Sequence, residues 1–281
     1  MYLVTGSTGN VGSALVSVLH EQGHHVRAHV RSAARADSLP NGIDIAVGDL
    51  DDPQSIDAAV RGVDGVFLMQ AGPGAAQTET MINAMRSAGI RKIVLLSSIG
   101  ARLVPLPTIG AALAAREDVL RHSGLDVTYL RPNSLMSNAL WWADGIRKEG
   151  RVIDASGPGR MACVDPHDIA RVAAVALIED GHAGHGYILS GPEALTSREQ
   201  VEIIAEVLGR AIDFEDITPE QFARDSIERG TPAQAAEAMQ NLNELFRAGR
   251  AGVITDDVEN LTGTAAGTFR DWCERHVDAF H

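Results

Sequence analysis

Residues 1–23 read MYLVTGSTGNVGSALVSVLHEQG: a short apolar run, three glycines at positions 6, 9 and 12, and then a helical pattern. The first run has the length and β-branching of a strand, and apolar residues recur at helical spacing from Val11 onward. A strand that enters a glycine turn and leaves as a helix brings backbone N–H groups and the positive end of the helix to one point, an arrangement that cradles a pyrophosphate. In this reading Gly6 makes the tight turn, Gly9 leaves room for the phosphates and Gly12 lets the helix lie close to the strand. Ser7, Thr8, Asn10 and Val11 complete the loop. The spacing is G-x-x-G-x-x-G rather than G-x-G-x-x-G, and a ligand-free turn shares it. What favours a nucleotide is the position between the first strand and the first helix.

The same alternation continues outward. Strands are expected at YLVT (2–5), HVRAHVR (25–31), DIAVGD (44–49), GVFLMQ (65–70), KIVLLSS (92–98) and VTYLRP (127–132), with helices beginning near Val11, Pro53, Ala75 and Ala111. Gly23, Gly62, Gly89 and Gly124 each stand where a helical run gives way to the next strand. Strands alternating with helices predict an α/β, Rossmann-like, doubly wound parallel sheet. After LRP (130–132) the rhythm changes. Residues 138–153 form an amphipathic stretch with two tryptophans, 165–180 a helix with an aspartate-rich start, and 186–196 a strand and turn; 197–209 is helical, 211–218 strand-like, and acid-rich helices run to 268–280. The expected organisation is a dinucleotide-binding unit at 1–132 and a mixed region at 133–281. The latter holds the remaining sheet elements, about 161–190, and a smaller C-terminal α+β substrate lobe.

The 281-residue chain carries 24 Lys and Arg against 37 Asp and Glu, a formal net charge of −13. It lacks the basic footprint that a nucleic acid backbone requires, so no direct nucleic acid partner is expected. Cys163 and Cys273 form no C-x-x-C pair, which argues against a disulfide framework or a structural zinc site. The start shows no basic and long apolar leader, and no run approaches the ~18 apolar residues that span a bilayer. A soluble cytoplasmic protein acting on a small molecule, with no membrane partner and a homodimer left open, is the expectation.

The second strand decides which dinucleotide is expected. An acid at its end binds the adenosine 2′-hydroxyl, whereas HVRAHVRSAAR (25–35) supplies Arg31 and Arg35, and a guanidinium suits a 2′-phosphate. NADP(H) is therefore favoured over NAD(H), although charged residues after a strand are also ordinary surface groups.

TGSTGNVG (5–12), VRSAAR (30–35), GDLDDPQSIDAAVRGVDGVFLM (48–69), AGIRKIVLLSSIGA (88–101), SGLDVTYLRP (123–132), MSNALWW (136–142) and VDPHDIARVAA (164–174) together resemble the NmrA-like atypical short-chain dehydrogenases, which include NAD(P)H quinone reductase-like proteins. The resemblance spans nearly the whole chain. It implies that Asp49 and Leu50 lie beside the adenine, Met69 and Gln70 beside the middle of the cofactor, and Ser97 and Ser98 near the nicotinamide; Pro132 and Asn133 would border the substrate pocket. It also implies a histidine in the helix before LRP, where this chain has Leu113.

Short-chain dehydrogenases protonate a carbonyl with Y-x-x-x-K, yet the tyrosines here are Tyr2, Tyr129 and Tyr187, the lysines Lys92 and Lys148, and no pair has that spacing. No catalytic residue is assigned. Hydride transfer by positioning alone still suits an acceptor that spreads the incoming charge, such as a quinone or an enone. NSLMSNALWW (133–142) offers Asn133, Ser134 and Asn138 as donors and Met136, Trp141 and Trp142 as walls, although the tryptophans equally fit core packing. Two alternatives stand beside the reductase: a non-enzymatic NADP(H)-sensing regulator and a tailoring reductase or isomerase of secondary metabolism. No metal is expected. HEQGH (20–24) imitates a zinc motif, but Gly23 takes His24 off the helix, and the Asp165 and His167 pair reads as helix capping. Ser97 and Ser98 lack the G-x-S-x-G surroundings of a hydrolase elbow.

Overall fold

The structure is a computed structural model describing residues 1–70 and 74–281. Seven parallel strands build the main sheet: β1 (Tyr2–Val4), β2 (Val26–Val30), β3 (Asp44–Val47), β4 (Gly65–Leu68), β5 (Lys92–Leu96), β6 (Asp126–Pro132) and β8 (Gly186–Leu189), in the order β3-β2-β1-β4-β5-β6-β8. The order reverses direction between β1 and β4, which opens a crevice at their carboxyl ends, the switch point where such sheets receive ligands. β4 is buried at every position, as expected of a central strand covered on both faces.

Helices α1 (Asn10–Glu21) and α6 (Pro166–Ile178) cover one face, and Leu15, Leu19, Ile169 and Leu177 are fully buried there with Val4 and Phe67. On the other face α2 (Pro53–Ala59), α3 (Ala76–Ala88) and α4 (Thr108–Arg121) bury Ile56, Met81, Met85 and Leu120 against Leu3, Val66 and Ile93. Local chemistry fixes the helix starts. Asp52 accepts from the Gln54 amide ahead of Pro53, and Asp165 accepts from the His167 amide ahead of Pro166, which is the capping role expected of the DPH stretch. α1 ends at Glu21, so His24 lies beyond it.

The remaining elements lie outside the main sheet. α5 (Ala143–Glu149) leads into β7 (Arg151–Asp154), which pairs in parallel with β9 (Asp213–Asp216) in a second, two-stranded sheet; α7 (Ser197–Leu208) lies between them in sequence. A hairpin of α8 (Pro219–Glu228) and α9 (Ala233–Arg247) follows, and then α10 (Asp257–Thr262) and α11 (Phe269–Arg275). Trp272, Phe269 and Phe280 are fully buried in a separate core with Ile146, Val152 and Ile204. The pairing of β7 with β9 joins segments about sixty residues apart, and no local pattern foretells it. No helix among the described residues is long and apolar enough to cross a membrane.

Candidate functional site

The glycine loop is braced on three sides. The Thr5 hydroxyl accepts from the Met69 amide at 2.8 Å, the Ser7 hydroxyl donates to the His29 carbonyl at 2.8 Å, and the Asn10 side chain donates to the Ser137 hydroxyl at 2.9 Å. The loop is thereby tied to β4, to β2 and to the segment after β6. Gly6 has φ +62°, and a Cβ there would stand 2.8 Å from the Met69 sulfur, so Met69 packs directly on the turn. A Cβ on Gly12 would lie 2.1 Å from the Gly6 carbonyl oxygen, whereas one on Gly9 would meet only that oxygen, at 3.3 Å. Gly12 therefore serves helix packing, whereas Gly9 has a single tight neighbour, the carbonyl of its own turn. α1 begins with no side-chain cap and no acid in its first turn, so its leading N–H groups and dipole are free to meet an anion. This loop fits a dinucleotide pyrophosphate.

Arg31 directly follows β2 and Arg35 lies in a short 3-10 helix, Ala33–Ser38; both are exposed, and among the described residues neither is ion-paired. Asp49 uses its carboxylate to accept from the Asp51 amide at 3.0 Å, and Leu50 packs on the second core. Gln70 is buried, donates to the Gly74 carbonyl at 3.2 Å and accepts from the Thr78 hydroxyl, so its amide is engaged with the start of α3.

The two serines after β5 part company. Ser97 turns inward and donates to the Glu117 carboxylate at 2.7 Å, and Arg131 grips the same carboxylate through two nitrogens at 2.9 and 2.8 Å. Burial works against the charge on Glu117, but the bonds from Arg131 and Ser97 outweigh it and hold the carboxyl below its ordinary value. Glu117 thus stays ionised and is no proton donor, and the Ser97 hydroxyl is spent on it rather than presented outward. Ser98, whose hydroxyl donates to the Pro132 carbonyl at 3.4 Å, instead lines a cavity.

That cavity is an inner chamber of about 180 Å³ walled by residues after β5 and β6, the start of α4, and the end of α9. It adjoins an outer cleft of about 730 Å³, with which it shares Ile109, Ser134, Leu135, Asn138, Leu242 and Phe246. Asn138, Trp141 and Trp142 line the outer cleft, and Trp141 keeps 68% of its surface exposed. Met136 is 1% exposed in the third core and lines neither cavity, whereas Met161 and Cys163 of the same core reach the cleft wall. Asn133 borders the chamber, but its amide donates to the Ala251 carbonyl at 2.8 Å and to the Val253 carbonyl at 3.3 Å, so it holds the wall and has no free donor. Leu113 also faces the chamber, with no proton to give.

Burial pushes the Cys163 thiol up to about 12, so it is neither nucleophile nor acid at neutral pH. Tyr129 and Tyr187 are both raised, chiefly by burial, and line neither cavity. The Glu117–Arg131 pair and the walls from α9 escaped the sequence reading. Arg131 stood in the quoted LRP motif without a partner to suggest its role, and Leu242, Phe246 and Arg250 carry no local signature at all.

A family model for NAD(P)H-binding proteins matches residues 6–180. The chain is 38% identical over its whole length to (4-alkanoyl-5-oxo-2,5-dihydrofuran-3-yl)methyl phosphate reductase of Streptomyces griseus, covering 99% of that relative, and 34% identical to the NAD(P)H azoreductase of Xenophilus azovorans, again over 100% and 99%. Among solved structures, the NADPH-dependent quinone oxidoreductase of Escherichia coli in complex with NADPH superposes with a TM-score of 0.87 at 25% identity, covering 98% of this chain and 99% of that one.

Proposed function

This chain belongs to the NAD(P)H-binding family, whose model spans residues 6–180, and from that premise we propose that it is an NADP(H)-preferring oxidoreductase that passes hydride to a small, apolar, conjugated acceptor of the quinone or enone class. One observation carries the reading: the uncapped glycine loop and the inner chamber open on the same carboxyl edge of the sheet, the loop at the switch point and the chamber beyond β5 and β6. The dinucleotide supplies two electrons and a hydrogen as hydride. The chain's own part is to bind and orient. Backbone N–H groups of residues 10–12 face the pyrophosphate, the Gly9 amide being held by the Gly6 carbonyl at 2.9 Å, Arg31 and Arg35 face the adenosine 2′-phosphate, and Ser98 stands at the end directed to the nicotinamide.

Chamber and cleft then hold a flat acceptor with its water stripped away, so that orientation rather than a proton donor lowers the barrier. The reductase relatives support this chemistry, since quinones, azo compounds and unsaturated lactones all spread incoming charge. The test is NADPH oxidation followed with a panel of quinones, cyclic enones and azo compounds. Turnover of one class supports the reading. Tight NADPH binding with no turnover across the panel would replace it with the sensing role.

A further inference from the structure

Hydride addition to the far carbon of a conjugated carbonyl forms one C–H bond and turns the C=C electron pair toward the carbonyl. The pair in the new C–H bond would come from the C–H bond broken on the reduced dinucleotide, while the displaced C=C pair puts negative charge on the carbonyl oxygen until a proton from solvent neutralises it. An apolar chamber is a poor place for that charge unless a donor already waits there. The inner chamber has no such acid: among its described lining residues there is no Asp, Glu, His, Cys, Tyr or Lys. It has a single charged residue, Arg250, which follows α9.

The placement of Arg250 is built rather than incidental. Its neighbour Ala251 is held by the buried Asn133 amide at 2.8 Å, and the Ala251 carbonyl also accepts from the Ala162 amide at 2.9 Å. The Arg250 amide donates to the Leu245 carbonyl at 3.2 Å, which closes α9. From this fixed backbone the side chain reaches the segment between β5 and α4, where one guanidinium nitrogen donates to the carbonyl of the exposed Val104, next to the lining residue Leu103. A guanidinium carries five N–H donors, and no other side-chain bond engages those of Arg250 among the described residues. Arg250 therefore lines the chamber as a cation anchored at both ends, with donors to spare and, among the described residues, no ion pair to a carboxylate.

We propose that Arg250 contacts the acceptor oxygen on which negative charge develops, standing in for the absent tyrosine and lysine pair. Asn133 is then a positioning residue that holds Arg250 through Ala251. The proposal rests on the hydride-transfer reading, and it limits the acceptors to conjugated compounds that place a carbonyl oxygen, or an equivalent charge-accepting atom, deep in the inner chamber.

The test uses the full-length protein saturated with NADP⁺ and two probes, 4-nitrophenolate as a mimic of the charged oxygen and 4-nitroanisole as its uncharged counterpart, titrated by tryptophan fluorescence. The variants are Arg250→Gln, which keeps an N–H for Val104, and Arg250→Lys, which keeps the charge. The parent should bind the phenolate at least about tenfold more tightly than Arg250→Gln, with Arg250→Lys between them, while 4-nitroanisole binds all three alike. With any acceptor the parent reduces, Arg250→Gln should lose about 10²–10³-fold in kcat at unchanged NADPH affinity. Equal phenolate binding by parent and Arg250→Gln at matched thermal stability would overturn the proposal, as would an equal loss of both probes. A parent that reduces nothing defeats the hydride-transfer reading, and the phenolate titration then decides the role of Arg250 separately.

Discussion

The two ends of the sheet's carboxyl edge are made in different ways. On the β1 and β2 side the proposed site is mostly backbone, a glycine turn and an uncapped helix start, with two exposed arginines, all within residues 5–35. On the β5 and β6 side it is side chains from residues 98–113, 133–138 and 242–251, held by a buried ion pair and an asparagine that each bridge distant segments. Backbone geometry depends on a few neighbouring residues and tolerates change around it. A side-chain chamber depends on every segment arriving together, so its failures should be failures of stability or of acceptor choice.

The largest expected effect tests the acceptor side. Arg131→Met leaves the buried Glu117 carboxylate without its 2.8 Å partner and should destabilise the fold by about 3–5 kcal/mol, read from denaturant unfolding at neutral pH. The pH dependence sharpens it. In the parent, Glu117 titrates below its ordinary value of 4.5, so the unfolded chain binds the extra proton and the stabilising contribution, full at neutral pH, drains away as pH falls below 4.5. In the variant the unpaired buried carboxyl prefers its proton, and the deficit should shrink on acidification. An equal deficit at every pH would mean that the pair is not what Arg131 contributes.

Next comes the glycine loop. Gly9 has φ −91° and a Cβ there would meet only the Gly6 carbonyl oxygen, at 3.3 Å, so Gly9→Val should still fold after a small shift of the turn yet bind NADPH at least about a hundredfold more weakly, because the branched side chain fills the phosphate cradle. Gly12→Val at the same loop should instead lose stability, since its Cβ would stand 2.1 Å from the Gly6 carbonyl oxygen. If both variants fold and bind alike, the division of labour between the two glycines is wrong.

A smaller effect separates the dinucleotides. Arg31→Ala should weaken NADPH about tenfold and leave NADH nearly unchanged, matching the loss of a hydrogen bond to a charged group. Equal losses in calorimetric titrations of the two cofactors would remove Arg31 from the 2′-phosphate. The smallest effect is expected from Tyr129→Phe and Tyr187→Phe. Tyr129 donates to the Glu117 carbonyl at 3.5 Å and Tyr187 shares a hydrogen with His182 at 2.8 Å, both away from the chamber. Each should shift stability by about 1 kcal/mol or less and leave kcat nearly untouched. A fall of the ~10²-fold size that loss of a general acid brings would place a tyrosine in the chemistry after all.

The strands of the main sheet, the starts of α1, α2 and α6 and the glycine loop were all legible in the sequence. Each is encoded by residues that touch within a turn or two: Pro53 and Pro166 after their capping aspartates, Gly23 and Gly89 at positive φ, the continuous apolar run of β4. The acceptor side was legible only in part. Asn138, Trp141 and Trp142 were recognisable as a polar and aromatic cluster, but the same pattern could not tell that Met136 packs in the third core while Asn138, Trp141 and Trp142 line the cleft, because the turn of a 3-10 helix decides which way each side chain points. Ser97 and Ser98 were indistinguishable as neighbours until strand alternation sent one toward α4 and the other toward the chamber.

By itself, then, the sequence determined the repeating strand and helix order and the glycine turn between β1 and α1, since both follow from local periodicity and from where a missing Cβ is required. Only the tertiary structure decided that Glu117 meets Arg131, that β7 pairs with β9, and that Arg250 enters a chamber begun at Ser98. Those contacts join residues 14, about sixty and about 150 positions apart. Burial and chain crossing choose such partners, and neither is written in the spacing of neighbouring residues.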